Sequence, residues 1–158
     1  MKSPYGIGTK NVSIKSGIVE KTFSNQANYN SEVHHLNKLA DFHRVPNIIE
    51  LNDEKMSIKM TYVGEPISRI TIPEDWRHQC NDILDGLQKY NCVHGDLEEN
   101  VTVLNGKLHI IDFANSYKDE WGHKGDEYLL FLHIVCVHKN FKKQDLIDLS
   151  ERKRSILI

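Results

Sequence analysis

Short runs in which apolar and polar residues alternate dominate the first part of the chain. Residues 12–14 alternate in this way, Ser16-Gly17 supplies a turn, and residues 18–23 resume the pattern. Two further segments of the same character lie at 47–51 and 56–63. Alternation bounded by turn residues is typical of antiparallel strands, so this part of the chain predicts a small β-sheet.

Helical spacing of apolar residues interrupts these strands once and then replaces them. One helix is predicted over residues 32–41, with capping chemistry just before it at Asn28, Asn30 and Ser31. Beyond the break at Gly64-Glu65-Pro66, the clearest helix begins after Pro73. Its apolar stripe consists of Trp76, Cys80, Ile83, Leu84, Leu87 and Tyr90.

Two further helices are predicted in the last third of the chain. Residues 126–137 are apolar nearly all round, so this helix is expected to be buried. Residues 144–154 combine helical spacing with a polar outer face. The order of elements, strands first and helices later, indicates an α+β fold.

An Asn105-Gly106 pair lies between two β-rich runs and predicts a hairpin with a type I′ turn. Such a turn fixes the register of the two strands. It places Leu104 opposite Lys107, Val103 opposite Leu108 and Val101 opposite Ile110. Continuing outward, it brings Asp112 close to Asn100 at the open end of the hairpin.

Composition sets limits on the class of protein. A chain of 158 residues corresponds to one domain, and 39% hydrophobic with 27% charged residues is typical of a globular protein. The net charge of -2 makes nucleic-acid binding unlikely. The most apolar run, 128–137, is about half the roughly 20 residues of a membrane span, so no membrane contact is expected.

Three cysteines, Cys80, Cys92 and Cys136, include no C-x-x-C pair. A disulfide framework or zinc ribbon is therefore not expected, and the chain is predicted to be cytoplasmic. Cys80 and Cys136 lie in apolar patterns, which predicts buried structural thiols.

The hairpin brings Asn100 and Asp112 beside Asp96, which lies just upstream. Two carboxylates and an amide oxygen form a set of hard ligands that suits Mg²⁺. An acidic residue at this site that does not bind the metal could act as a general base. The alternative is that Asp96 and Asn100 cap turns and that Asp112 ends a strand.

The motif His94-Gly95-Asp96-Leu97 with Asn100, followed by Ile110-Ile111-Asp112-Phe113, resembles the catalytic loop and metal-binding segment of protein-kinase-like phosphotransferases. The His-Gly-Asp form is most similar to aminoglycoside and choline kinases and to small atypical kinases of the RIO and KEOPS type. The resemblance implies a bilobal protein-kinase-like fold, with a small antiparallel β N-lobe and a reduced, mainly helical C-lobe.

The resemblance also implies roles for these residues. Asp96 matches the catalytic aspartate that orients or deprotonates the attacking hydroxyl, and Asn100 and Asp112 match the two metal ligands. Lys21 matches the phosphate-holding lysine, and Glu32 its ion-pair partner. Asp126 resembles the aspartate that braces the catalytic loop, and His94 the structural histidine, while the pair His34-His35 is expected to be solvated.

Residues 60–66 resemble the hinge segment against which adenine packs in kinases. Thr61, Tyr62 and Val63 are the residues expected to contact the adenine. One minimal domain, 1–158, then divides into an N-lobe (1–63), a hinge (64–67) and a C-lobe (68–158). The implied cofactors are ATP and Mg²⁺. The implied partners are a nucleotide and a phosphoacceptor, either a protein or a small molecule, and the oligomeric state is open.

Several features depart from the family pattern. Gly6-Ile7-Gly8 is a lone G-x-G, the Asp96 to Asn100 spacing is one residue short, and Ala114 replaces a glycine. The chain is also too short for a large substrate platform. The leading prediction is therefore a Mg²⁺-dependent phosphotransferase, and the alternative is a pseudokinase scaffold. A metal-dependent phosphohydrolase is a weaker third reading, because further metal-ligand motifs are absent.

Overall fold

A computed structural model describes residues 9–114, 122–137 and 143–157 of the chain. Within these ranges the secondary structure follows the predicted order, with strands first and helices later. The elements are β1 (Thr9–Lys15), β2 (Ile18–Phe23), α1 (Gln26–Lys38), β3 (Ile48–Asn52), β4 (Ser57–Thr61), β5 (Glu65–Pro66), α2 (Trp76–Lys89), β6 (Val101–Leu104), β7 (Lys107–Ile110), α3 (Gly122–Val137) and α4 (Lys143–Leu157). The fold is α+β, as the alternation and the helical stripes predict. Gly6-Ile7-Gly8 lies outside the described residues.

Two antiparallel sheets organise the molecule. The first has the strand order β1-β2-β4-β3, and the second has the order β5-β6-β7. In β2 the buried positions alternate with the others, which places Val19, Lys21 and Phe23 on the inner face. This face contributes to a buried apolar core shared with α1, α2 and α3. Lys21 is therefore the one charged residue on an otherwise apolar inner face of its strand.

Helix α1 begins six residues earlier than the apolar spacing predicts. Its N-cap is Asn25, whose side chain accepts a 2.8 Å hydrogen bond from the backbone N–H of Asn28. The predicted capping residues Asn28, Asn30 and Ser31 therefore lie inside the helix. The prediction was wrong because several residues in this stretch can cap, and the one that does so is Asn25.

Helix α2 packs tightly against the segment that follows α1. A side chain at Gly86 would place its Cβ 2.3 Å from the ring of Phe42, so only glycine allows this approach. Helix α3 begins at Gly122, ahead of the predicted start, and Cys80 and Cys92 are buried as apolar positions. Cys136 is exposed, contrary to prediction, because a helix that is apolar nearly all round does not reveal which of its faces meets solvent.

Within the described ranges, no helix is both long enough and apolar enough to cross a membrane.

Candidate active site

A buried lysine connects the two lobes. Lys21 is only 1% exposed. Its Nζ lies 3.5 Å from Oε1 of Glu32 on α1 and 3.4 Å from Oδ1 of Asp112 just beyond β7. Three residues that the sequence separates widely therefore meet in one charged cluster, which we call the lysine cluster. Burying a charge is costly unless it is paired, and here each charge has a partner.

The second oxygen of the Glu32 carboxylate holds the chain just after Asp112. Oε2 accepts a 2.5 Å hydrogen bond from the backbone N–H of Phe113. The neighbouring Ser31 hydroxyl donates to the Phe113 carbonyl at 2.7 Å. Helix α1 thus satisfies both backbone groups of one residue. Burial raises the pKa of Glu32, the nearby Asp112 acts in the same direction, and Lys21 opposes both.

The ring of His35 also faces this segment. It stacks on the Phe113 ring with centroids 6.1 Å apart and planes 13° apart. His35 is half-buried and burial lowers its pKa, so the prediction that it is solvated was wrong, whereas His34 is exposed. One turn of α1, carrying Ser31, Glu32 and His35, forms the surface against which the segment after Asp112 packs.

The hairpin has the register that its turn predicts. Leu104 pairs with Lys107, Val103 with Leu108, and Val101 with Ile110. The ladder continues outward, because the N–H of Ile111 donates to the Asn100 carbonyl at 3.1 Å. Asp112 follows in a left-handed backbone conformation, with φ of +68°.

The short loop between Asp96 and Asn100 closes on itself. The Asn100 Nδ2 donates to the Asp96 carbonyl at 2.6 Å. The pKa of the Asp96 carboxyl is raised, chiefly by burial and then by Asp112, Glu98 and Glu99, while the Asn100 side chain opposes the rise. The loop is one residue shorter than the family pattern, yet it holds Asn100 against Asp96.

His94 fastens this loop to the hairpin. Its Nδ1 accepts from the Asp96 N–H at 3.1 Å, so its proton lies on Nε2, which donates to the Ile111 carbonyl at 2.7 Å. Complete burial lowers the pKa of His94 to about 4, so the ring is neutral at pH 7. A neutral imidazole with both nitrogens bonded has the structural, hydrogen-bonding role that the resemblance implies for His94.

Asp126 supports the same loop from the first turns of α3. Its side chain is fully buried and accepts from the N–H of His94 and from the N–H of Gly95, each at 2.8 Å. The two oxygens of one carboxylate therefore satisfy two consecutive backbone amides. This is the bracing arrangement that the resemblance implies for Asp126.

The connecting segment between the lobes carries the predicted adenine-binding residues. The N–H of Thr61 donates to the Asn47 carbonyl at 2.9 Å, and the N–H of Tyr62 donates to the Gly17 carbonyl at 3.0 Å. Val63 is 5% exposed, and its carbonyl accepts from the Thr102 hydroxyl at 2.7 Å. The structure places all three residues at the end of the first sheet.

Among the described residues, no group of three or more His, Cys, Asp or Glu side chains is arranged to hold a metal ion. Asp112 and Asn100 supply one carboxylate and one amide oxygen. This set fits a Mg²⁺ ion that takes the rest of its ligands from phosphate and water, rather than an ion enclosed by protein.

The two-lobed arrangement and the lysine cluster define a protein of the protein-kinase-like class. Residues 11–154 match the family model of the RIO domain. The chain therefore belongs to the RIO domain family, whose members are atypical protein kinases.

The fold is similar to a solved structure, the kinase domain of Mycobacterium tuberculosis PknI in a cysteine-to-alanine mutant form. The TM-score is 0.53 at 14% sequence identity, and the match covers 80% of this chain and 66% of that kinase domain. At this identity the likeness concerns the fold. The chain spans just under two thirds of the length of that kinase domain. No curated protein matches the sequence.

Proposed function

We propose that this protein is a Mg²⁺-dependent phosphotransferase, which moves the γ-phosphate of ATP to a hydroxyl on a protein or a small molecule. The observation that carries this proposal is the position of Lys21, between Glu32 at 3.5 Å and Asp112 at 3.4 Å. A lysine fixed by one carboxylate and adjacent to a second is the arrangement that binds phosphate beside a metal in kinases.

Each residue then has a distinct task. Glu32 orients Lys21, which binds the phosphates as a point charge. Asn100 and Asp112 would hold Mg²⁺, which supplies charge neutralisation at the transferring phosphate. Asp96 positions the acceptor hydroxyl and accepts its proton. Since phosphoryl transfer requires little covalent chemistry from the protein, positioning and electrostatics account for catalysis.

The base of the nucleotide would lie at Thr61, Tyr62 and Val63. The first sheet offers an apolar surface nearby. Ile14 pairs with Val19 across the ladder and is 46% exposed, while Val19 is fully buried. An exposed isoleucine on the inner face of the sheet suits the flat face of adenine.

The cysteines of the described chain are free thiols, which suits a cytoplasmic protein.

The second candidate function is a pseudokinase that binds a nucleotide or a partner without transferring phosphate. One observation favours it. The side chains of Lys21 and Asp112 are only 1% and 3% exposed and are paired with each other. A phosphate and a metal ion must separate this pair before either can bind, which reduces affinity unless the new contacts compensate.

Labelled ATP, Mg²⁺ and panels of protein and small-molecule acceptors test the first proposal. Asp96→Asn should reduce transfer by roughly 10³-fold while leaving nucleotide binding intact, because it removes the proton acceptor but little volume. Glu98→Gln is the matched control, an exposed carboxylate in the same loop. Nucleotide binding without transfer in the unmodified protein supports the pseudokinase, and labelling that persists in Asp96→Asn contradicts the role of Asp96.

A further inference from the structure

The segment that connects the two lobes is also a strand of the second sheet. Glu65 pairs with Val103 and Pro66 with Thr102 in an antiparallel ladder. The N–H of Ile67 extends it by donating to the Val101 carbonyl at 3.1 Å. The connector therefore lies along the outer edge of β6 instead of crossing open space between the lobes.

Gly64 allows this close approach. Its φ is +104°, and a Cβ built there would lie 2.0 Å from the Val103 carbonyl oxygen and 2.9 Å from the backbone nitrogen of Leu104. Both are backbone atoms, which cannot move away by changing rotamer as a flexible side chain can. Any other residue would push the connector away from β6, so the glycine indicates that contact between the two is part of the fold.

One buried hydroxyl joins the adenine-binding segment to the hairpin. Thr102 is fully buried, and its Oγ1 donates to the Val63 carbonyl at 2.7 Å. A buried carbonyl without a partner is costly, so this bond fixes the peptide plane that follows Val63. Thr102 lies two positions after Asn100, and positions two apart face the same side of a strand.

We propose that Thr102 is a positioning residue for nucleotide binding, which holds the Val63 peptide in the orientation that receives the base. This inference rests on the proposed function, since it presumes that a nucleotide binds. Strand β6 then positions both ends of that nucleotide. Thr102 fixes the base end through Val63, and Asn100, just before the strand, serves the metal end. The distance between the two ends is set by one rigid strand rather than by a hinge.

Two substitutions separate positioning from packing. Thr102→Val keeps the shape and removes the hydroxyl, whereas Thr102→Ser keeps the hydroxyl and removes a methyl group. Titration calorimetry with Mg²⁺-ATP and with Mg²⁺-tripolyphosphate, which has no base, measures the two ends of the site. Thr102→Val should bind Mg²⁺-ATP about fivefold more weakly and tripolyphosphate unchanged. Thr102→Ser should match the unmodified protein with both ligands.

The alternatives give different results. Equal losses of both ligands in Thr102→Val, or no loss of either, would overturn the role of Thr102 while leaving nucleotide binding established. Failure of the unmodified protein to bind Mg²⁺-ATP would overturn the proposed function itself, and this inference with it.

Hydrogen exchange of the unliganded variants gives a second, independent measurement. The amide of Ile67 should exchange faster in Thr102→Val than in Thr102→Ser, because only the former loses the side-chain bond that adds to the backbone ladder between the connector and β6. Equal exchange rates in the two variants would contradict the proposal.

Discussion

Two buried networks, one around Lys21 and one around Arg44, differ in how closely their atoms approach. In the lysine cluster the Nζ contacts are 3.4 and 3.5 Å long. In the second, which we call the arginine network, Arg44 donates to Gln79 at 2.6 Å and to the Leu108 carbonyl and Asp82 at 3.1 Å each. Both side chains are at least nine-tenths buried.

The arginine network is bonded further at its far side. Gln79 accepts from the N–H of Leu108 at 2.7 Å and donates to the Gly106 carbonyl at 2.9 Å, and the N–H of Ile110 donates to the Arg44 carbonyl at 2.8 Å. Because these bonds are short and directed at backbone atoms, a ligand that replaced them would gain little free energy. The contacts of Lys21 are longer and therefore weaker, so replacing them with phosphate should cost less than replacing the bonds of Arg44. We therefore expect the arginine network to be structural and the lysine cluster to be the one that binds a ligand.

Replacing Lys21 should have the largest effect. Lys21→Met removes the cation between two buried carboxylates, so phosphate transfer should fall by at least about 100-fold. The free energy of unfolding should fall by roughly 3–5 kcal/mol at pH 7. Lys21→Arg is the control, since it restores charge but not geometry, and should recover stability more than activity. Full activity in Lys21→Met would place Lys21 outside the site.

Replacing Arg44 should affect stability and leave catalysis unchanged. Arg44→Met leaves the Leu108 carbonyl and the Gln79 amide oxygen with fewer donors, at a cost of about 2–4 kcal/mol in urea unfolding. Arg44→Lys should recover part of this loss. Activity per folded molecule, measured well below the unfolding midpoint, should be unchanged, and a tenfold fall would show that the arginine network also serves the site.

Lowering the pH should reduce the free energy of unfolding, because His94 is buried in its neutral form. Its pKa is about 4 in the fold and about 6.5 in the unfolded chain, so its stabilising contribution is complete above pH 6.5 and is lost as the pH falls through 4. Between pH 7 and pH 5 this loss should amount to about 2 kcal/mol. Urea midpoints at both pH values measure it. His94→Asn should be less stable at pH 7 but lose less on acidification, and equal losses would contradict the assignment.

The smallest effect is expected at Ser31. Ser31→Ala removes the hydroxyl that donates to the Phe113 carbonyl, which should cost about 1 kcal/mol. Activity should fall a few-fold, because the segment that carries Asp112 loses one of its two bonds to α1. Ser31→Thr, which keeps the hydroxyl, is the control. Unchanged activity in Ser31→Ala would show that the Glu32 bond alone holds the segment.

The sequence predicted best what depends on local chemistry. The Asn105-Gly106 turn determined the register of β6 and β7, and the register brought Asn100 and Asp112 together without any long-range information. The kinase-like class of fold was implied by the resemblance of the motifs around Asp96 and Asp112 to a known family, and it is confirmed by the match to the RIO domain. The roles of the individual site residues stay predictions.

Sequence reasoning missed the residues whose partners lie far along the chain. Arg44 looks like an ordinary loop arginine, and only its bonds to α2 and β7 reveal it as buried. Ser31 was interpreted as a cap because Ser favours caps, although its hydroxyl bonds to a residue 82 positions away. Thr102 reads as a plain strand residue. Period and propensity describe local structure, so they carry no signal for such contacts.

The long sequence separations within the site imply an order of assembly during synthesis. The strands of the first sheet are complete once Thr61 has been made, and Lys21 meets Glu32 only 11 residues further on. Asp112 follows Lys21 by 91 residues. Asp126, which accepts from the amides of His94 and Gly95, follows these two residues by 32 and 31 positions. We therefore expect the N-lobe to fold on the ribosome while the catalytic loop remains unsupported, and the site to form only after α3 has emerged.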